Sequence, residues 1–215
     1  MNWSARVIEL PEDTKFTLMH SAIAQIGDSL FLFLAKKSKV MVYILNQLRS
    51  SEPMISKLNY LNEKRVGFAL TVYAKSLIYL SGGYKRRGIV SNQVFVFDTL
   101  NLSWKEVPYM CFARSSHMSV TLGDKIYVIS GEDGTDRGVC SIESHKACSE
   151  EGWSLLIQDD MLAYRYDPSI STISSSEVAV LGGFNPVEKM AFKEGYIFNA
   201  ATNELKSMRS NMITY

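Results

Sequence analysis

A period of roughly 50 residues restricts this chain more than any other feature. Four segments align: HSAIAQIGDSLFLFLAKK (20–37), FALTVYAKSLIYLSGG (68–83), HMSVTLGDKIYVISGE (117–132) and ISSSEVAVLGG (173–183). Each holds an apolar stretch ending in or near a glycine pair, and in three of them a tight turn and an earlier strand precede it. Lys36, Gly83, Glu132 and Gly183 take equivalent places, spaced by 47, 49 and 51 residues. Trp104 and Trp153 each follow such a landmark by 21 residues, and Leu205 follows one by 22. Self-similarity at this period marks stacked supersecondary units rather than one irregular core. The apolar runs are short, rich in Val, Ile, Leu, Phe and Tyr, and separated by Gly, Asp, Asn and Ser. That pattern predicts an all-β chain of about four strands per unit. One weak helical candidate, Met41 to Leu48, fits a strand equally well.

The residue types suit that reading. Leu77-Ile78-Tyr79-Leu80 and Ile126-Tyr127-Val128-Ile129 are apolar on both faces, as a strand covered on both sides must be. In Met118–Leu122, Met118, Val120 and Leu122 face one way, with Ser119 and Thr121 turned outward. Glycine at 82 and 83 permits a sharp turn or a close approach where a Cβ would clash. Trp104 and Trp153 are expected to fill the space between units.

A Gly-Gly after an apolar strand, a following Val94-Phe95-Val96-Phe97-Asp98 or Gly195-Tyr196-Ile197-Phe198-Asn199 strand, then a Trp, at a period near 50, resembles the kelch repeat. Residues 65–110 carry the resemblance best. It implies a kelch-like β-propeller, one four-stranded blade per repeat, with repeats at approximately 14–58, 59–110, 111–157 and 158–208. The repeats depart from the pattern in places: Ala35-Lys36 in the first, Gly131-Glu132 and a polar third strand (139–144) in the third, Leu205 for Trp in the fourth. Trp3 reads as the last strand of an earlier blade and Met208–Asn211 as the start of a later one. Four blades are fewer than such propellers usually close with. The expected reading is therefore a portion of a longer propeller; the alternative is a small ring closed by the terminal strands. Unpaired end blades would favour self-association.

Charge and cysteines exclude several functions. Lys and Arg total 23 against 22 Asp and Glu, a net charge of +1. No global field draws this chain to nucleic acid or an anionic membrane. The longest apolar run, Leu30–Ala35, is far short of the ~20 residues a spanning helix needs. Three unevenly spaced cysteines, Cys111, Cys140 and Cys148, argue against a disulfide framework and for a reducing cytoplasm.

Chemical constellations are weak. Cys140, His145 and Cys148 match no common zinc spacing, so no metal site is expected. Ser130–Thr135 resembles a sialidase-type Asp box but has Arg137 where Trp belongs. Gly82-Gly83 lacks the residues of a phosphate loop. His20 and His117 stand at equivalent repeat positions, which favours packing over catalysis. No cofactor and no catalytic residue is expected.

The densest positive cluster is Lys85-Arg86-Arg87, directly after a glycine pair. The resemblance places it in the loop between second and third strands. Arg65 and Arg114, with Ser115 beside Arg114, fall in loops joining one blade to the next. In that family both kinds of loop line a common ligand face. Together these cations would grip an acidic peptide through charge-assisted hydrogen bonds. Tyr84 and Phe184, each following a glycine pair, are candidate aromatic anchors. The expected function is a non-enzymatic protein-interaction module, recruiting a partner or substrate as related modules do for ubiquitin ligases or the cytoskeleton. The alternatives are an enzyme with its site on the loop face and a truncated product without independent function.

Overall fold

The structure, a computed structural model, describes residues 21–36, 38–46, 54–85, 88–135 and 138–208. It is all-β apart from single-turn 3-10 segments such as Asp160–Leu162. Four antiparallel sheets of four strands follow one another along the chain. Blade 1 is β1 (Ser21–Ile26), β2 (Ser29–Lys36), β3 (Lys39–Asn46) and β4 (Met54–Leu61). Blade 2 is β5 (Ala69–Tyr73), β6 (Leu77–Ser81), β7 (Val94–Asp98) and β8 (Ser103–Val107). Blade 3 is β9 (Met118–Leu122), β10 (Lys125–Ile129), β11 (Ser141–Lys146) and β12 (Ser154–Gln158). In blade 4, β13 (Ser169–Thr172) and β14 (Glu177–Leu181) are followed by a small hairpin, β15 (Phe184–Asn185) and β16 (Met190–Ala191). The sheet then resumes with β17 (Gly195–Asn199) and β18 (Glu204–Met208). Of the ambiguous segment Met41 to Leu48, residues 41–46 belong to strand β3, and 47 and 48 lie outside the described residues. The strand's β-branched and aromatic side chains are buried on both faces.

The blades pack face to face with first strands innermost, β1 beside β5, β5 beside β9 and β9 beside β13. The described blades form an incomplete propeller. Each interface is an apolar layer. Phe31, Phe33, Val40 and Val42 of blade 1 meet Ile78, Leu80, Phe95 and Phe97 of blade 2. Tyr79, Val94 and Val96 on the other face of blade 2 meet Ile126, Val128 and Trp153 of blade 3. Tyr127, Ile129 and Ile142 meet Val178, Val180, Tyr196 and Phe198 of blade 4. A second strand buried on both faces therefore needs an unbroken apolar run, which is what the sequence supplies.

The tryptophans fill the interfaces as expected. Trp104 pairs in register with Phe97 and lies edge-on to Phe33 of blade 1, ring centres 6.0 Å apart. Trp153 stacks on His145 at 5.3 Å, and its indole N–H donates to the Pro108 carbonyl at 2.9 Å. Leu205 pairs with Phe198 in the equivalent place of blade 4.

Three sequence expectations shift. The left-handed backbone pair after the second strand is Gly82-Gly83, Gly182-Gly183 and, in blade 3, Ser130-Gly131, with φ of 57° and 105°. Blade 3 is thus one residue out of the expected register, and Glu132 is the equivalent of Tyr84 and Phe184. Thr121 does not face outward to solvent: its hydroxyl meets that of Thr71 in blade 2 at 3.0 Å. Met208 closes β18 opposite Gly195 rather than opening another strand. Trp3, His20 and Arg209–Asn211 lie outside the described residues.

Candidate functional site

Three arginines hold equivalent positions three residues before Phe68, His117 and Pro168. Arg65, Arg114 and Arg165 are all wholly buried. Arg114 donates to the carbonyls of Ser130 (2.8 Å) and Ser141 (3.3 Å), to the Ser141 hydroxyl (2.9 Å) and to the Glu143 carboxylate. Arg165 repeats this in blade 4. It donates to the carbonyls of Gly182 and Glu194 and to the Tyr196 hydroxyl at 2.7 Å, and lies over the rings of Phe192 (4.1 Å) and Tyr196 (4.5 Å). Arg65 donates to Glu63 (2.6 Å) and Gln93 (2.5 Å) and lies 5.3 Å from the Phe95 ring centre. Each guanidinium ties the loop before a blade to the start of its third strand. Burial pulls the pKa of Arg65 and Arg114 down, and their carboxylate partners oppose that.

This corrects the expectation that Arg65 and Arg114 grip a peptide. Both sit in the predicted loops, but their charged heads point into the blades, where Arg65 pairs through Nη2 and Arg114 through Nη1 and Nη2. Arg165 is the third member of the set and escaped the sequence reading. So did Glu143, which sits in a polar-looking strand.

What projects on the loop face comes from the position after each left-handed pair. Tyr84, Glu132 and Phe184 form single antiparallel bridges with Val66, Ser115 and Tyr166. Ser115 is buried and donates its hydroxyl to Glu132 at 3.0 Å. The Tyr84 phenol lies beside both; its pKa is raised by burial and by the neighbouring Glu132 carboxylate. Tyr84, Ser115 and Glu132 thus come together between blades 2 and 3, with Ser115 supporting Glu132 from below. Phe184 stands between blades 3 and 4, and 45% of its surface is exposed. Lys85 lines a polar cleft of about 320 Å³ with Ser38, Asn62, Glu63, Lys64 and Ile89. Arg86 and Arg87 lie outside the described residues.

His117 is buried, accepts or donates a 2.8 Å bond to the Ser81 hydroxyl of blade 2, and has its pKa held well below 6.5 by burial and by Arg114. It is packing, as its repetition suggested. Cys111, Cys140 and Cys148 are free thiols. His145 is buried against Trp153, apart from any cluster of cysteines. Among the described residues no three potential ligands converge on a metal site, and no helix is long and apolar enough to cross a membrane.

Four-stranded antiparallel sheets packed face to face, first strand innermost, define a repeat protein of β-propeller type. Residues 65–110 match the Kelch motif, and the chain is similar to kelch-repeat proteins. It is 29% identical over 160 residues to Kelch-like protein 6 of Homo sapiens, 70% of this chain and 24% of that protein. It is 43% identical over 61 residues to a putative F-box/kelch-repeat protein of Arabidopsis thaliana, 28% of this chain and 15% of the relative. It is 32% identical over 89 residues to Alpha-scruin of Limulus polyphemus, 39% of this chain and 10% of the relative. The chain spans a quarter or less of these relatives.

Proposed function

We propose that this chain is a non-enzymatic protein-interaction module that engages a partner protein on the loop face of blades 2 to 4, in a cytoplasmic setting consistent with its free thiols. The single observation that carries this reading is the division of labour in the loops. The repeated arginines are turned inward to hold the fold, while the positions that vary between blades, Tyr84, Glu132 and Phe184, project from rigid bridges. A rigid base with differing aromatic and charged side chains is what a specific interface needs, because little ordering is left to be done on binding. Kelch-like relatives support the interaction role. Lys85 and Lys64 favour contact with an acidic residue of the partner, but the loss of Arg65 and Arg114 to the interior weakens a wholly acidic ligand.

A photo-crosslinking amino acid at Tyr84 or Phe184, compared with one at Leu100, tests the face. Leu100 is 79% exposed in the β7–β8 turn, at the end of the blade away from the loops that hold Tyr84 and Phe184. Adducts in cells from positions 84 and 184 are expected. Adducts from position 100 alone would overturn the reading.

A further inference from the structure

Between blades 3 and 4 the loop face changes character. The β15–β16 hairpin holds three apolar side chains in solvent: Phe184 at 45%, Val187 at 58% and Met190 at 57% exposure. They do not fold back on the blade because the hairpin is braced from beneath. Phe184 exchanges backbone bonds of 2.8 and 3.1 Å with Tyr166, and the Phe192 N–H donates to Gly183 at 2.9 Å. Asn185 Oδ1 accepts from the N–H groups of Val187 (3.0 Å) and Glu188 (3.1 Å), which fixes the turn. Arg165 lies under the Phe192 ring. Phe184 pairs with Ala191 and Asn185 with Met190, so Phe184 and Met190 lie on opposite faces of the hairpin, and Met190 with Val187 at the turn presents apolar surface on a fixed backbone, as an interface centre does.

Its electrostatic setting is acidic. The Tyr166 hydroxyl donates to the Thr135 carbonyl at 3.0 Å, so the hairpin base abuts the blade 3 loop that carries Glu132 and Asp133. Asp133 is exposed, and Thr135 orders it through its N–H (2.8 Å) and hydroxyl (2.6 Å). Within the hairpin and the segment after it, Glu188 and Glu194 balance Lys189 and Lys193. The buried Arg165 cation lies beneath the hairpin, and the two carboxylates of Glu132 and Asp133 outnumber it, which leaves this corner acidic among the described residues. We propose that the hairpin docks a partner segment in which an apolar side chain is flanked by Lys or Arg. The apolar group packs on Val187 and Met190, and the cation faces Asp133. This rests on the loop face being the protein-binding face and adds the chemistry of the ligand at one corner of it.

The test pans phage-displayed random dodecapeptides on the whole chain, counter-selecting on a Val187→Ser/Met190→Ser double variant. Both side chains are largely exposed, so the variant's melt should match the parent. Enriched peptides are then synthesised and titrated by fluorescence anisotropy. Expected are sequences with Lys or Arg within two residues of an aliphatic or aromatic residue. Their affinity falls at least tenfold in the double variant and in Asp133→Lys, and falls as salt rises. Acidic consensus sequences, no enrichment, or binding indifferent to both variants would overturn the proposal. So would sedimentation showing a dimer of this chain that the double variant abolishes. Peptides that ignore the hairpin but are lost in Lys85→Glu would sink this inference and leave the loop-face reading standing. Crosslinks confined to Leu100 would remove both.

Discussion

Arg114 and Glu143 form an ion pair with both side chains wholly buried, at the position where blade 2 has Phe95 and blade 4 has Tyr196. One repeat position thus offers its arginine an aromatic face, a carboxylate or a phenol. The Glu143 carboxylate also accepts from the N–H groups of Cys111 (2.5 Å) and Phe112 (3.1 Å). Glu143→Ala leaves a buried cation without its counter-charge and two amides without their acceptor, and is expected to cost about 3–5 kcal/mol in urea unfolding. Glu143→Tyr borrows the blade 4 solution and should lose clearly less. Equal losses would show that the charge itself, rather than a partner for Arg114, is required.

Gly82 has φ of +63°, and a Cβ there would collide with the Arg114 carbonyl oxygen and sit 2.8 Å from His117 Cε1. Gly27 has a similar φ of +58° with nothing within 4 Å. Gly27→Ala should therefore cost only the left-handed strain of about 1–2 kcal/mol. Gly82→Ala adds a clash with backbone at the seam of blades 2 and 3 and should cost distinctly more. Thermal melts of the two variants separate conformational strain from close approach; equal shifts would mean the seam yields.

Folding should respond to acid through His117. Its folded pKa is depressed by burial and by Arg114, while the unfolded imidazole titrates at about 6.5. The unfolded chain binds the proton first, so the stability His117 contributes is complete above that pH and drains away as pH falls below it. His145, lowered by burial beside Trp153, acts in the same direction. His117→Phe copies Phe68 of blade 2, leaves the Ser81 hydroxyl without its 2.8 Å partner, and lowers stability at pH 7.5. It should also flatten the decline in Tm between pH 6.5 and 5. An undiminished decline would assign the acid sensitivity elsewhere.

The repeat, the strand content and the inter-blade tryptophans were legible because apolar side chains at fixed spacing report burial directly. The register of blade 3 was not. Ile129 adds an apolar residue before the turn, and Ser130 adopts the left-handed conformation that a reader assigns to glycine. The interior arginines were half legible. Arg65, Arg114 and Arg165 recur at spacings of 49 and 51 residues, and repetition that argues for packing at His117 argues for it equally at arginine. Glu143 was hidden because Ser141–Lys146 reads as polar, yet its first five residues are buried and the arginine opposite is what makes that tolerable. The β15–β16 hairpin, two residues to a strand, is too short to leave a periodic trace.

Arg165 differs from Arg114 in meeting two rings and a phenol where its counterpart meets a carboxylate. Its planar guanidinium stacks and donates at once, which an ammonium cannot do in the same space. Arg165→Lys should keep the charge but lose the stack on Phe192 and the fork that reaches both Gly182 and Tyr196. Blade 4 then loosens first where Phe192 holds the hairpin. Hydrogen exchange at residues 184–192 should accelerate more than exchange in β14 or β17, and limited proteolysis should cut near Lys189 or Lys193. Uniform acceleration across blade 4 would mean that Arg165 stabilises the sheet as a whole and that the hairpin is held by its backbone bonds, those with Tyr166 and the one from Phe192 to Gly183.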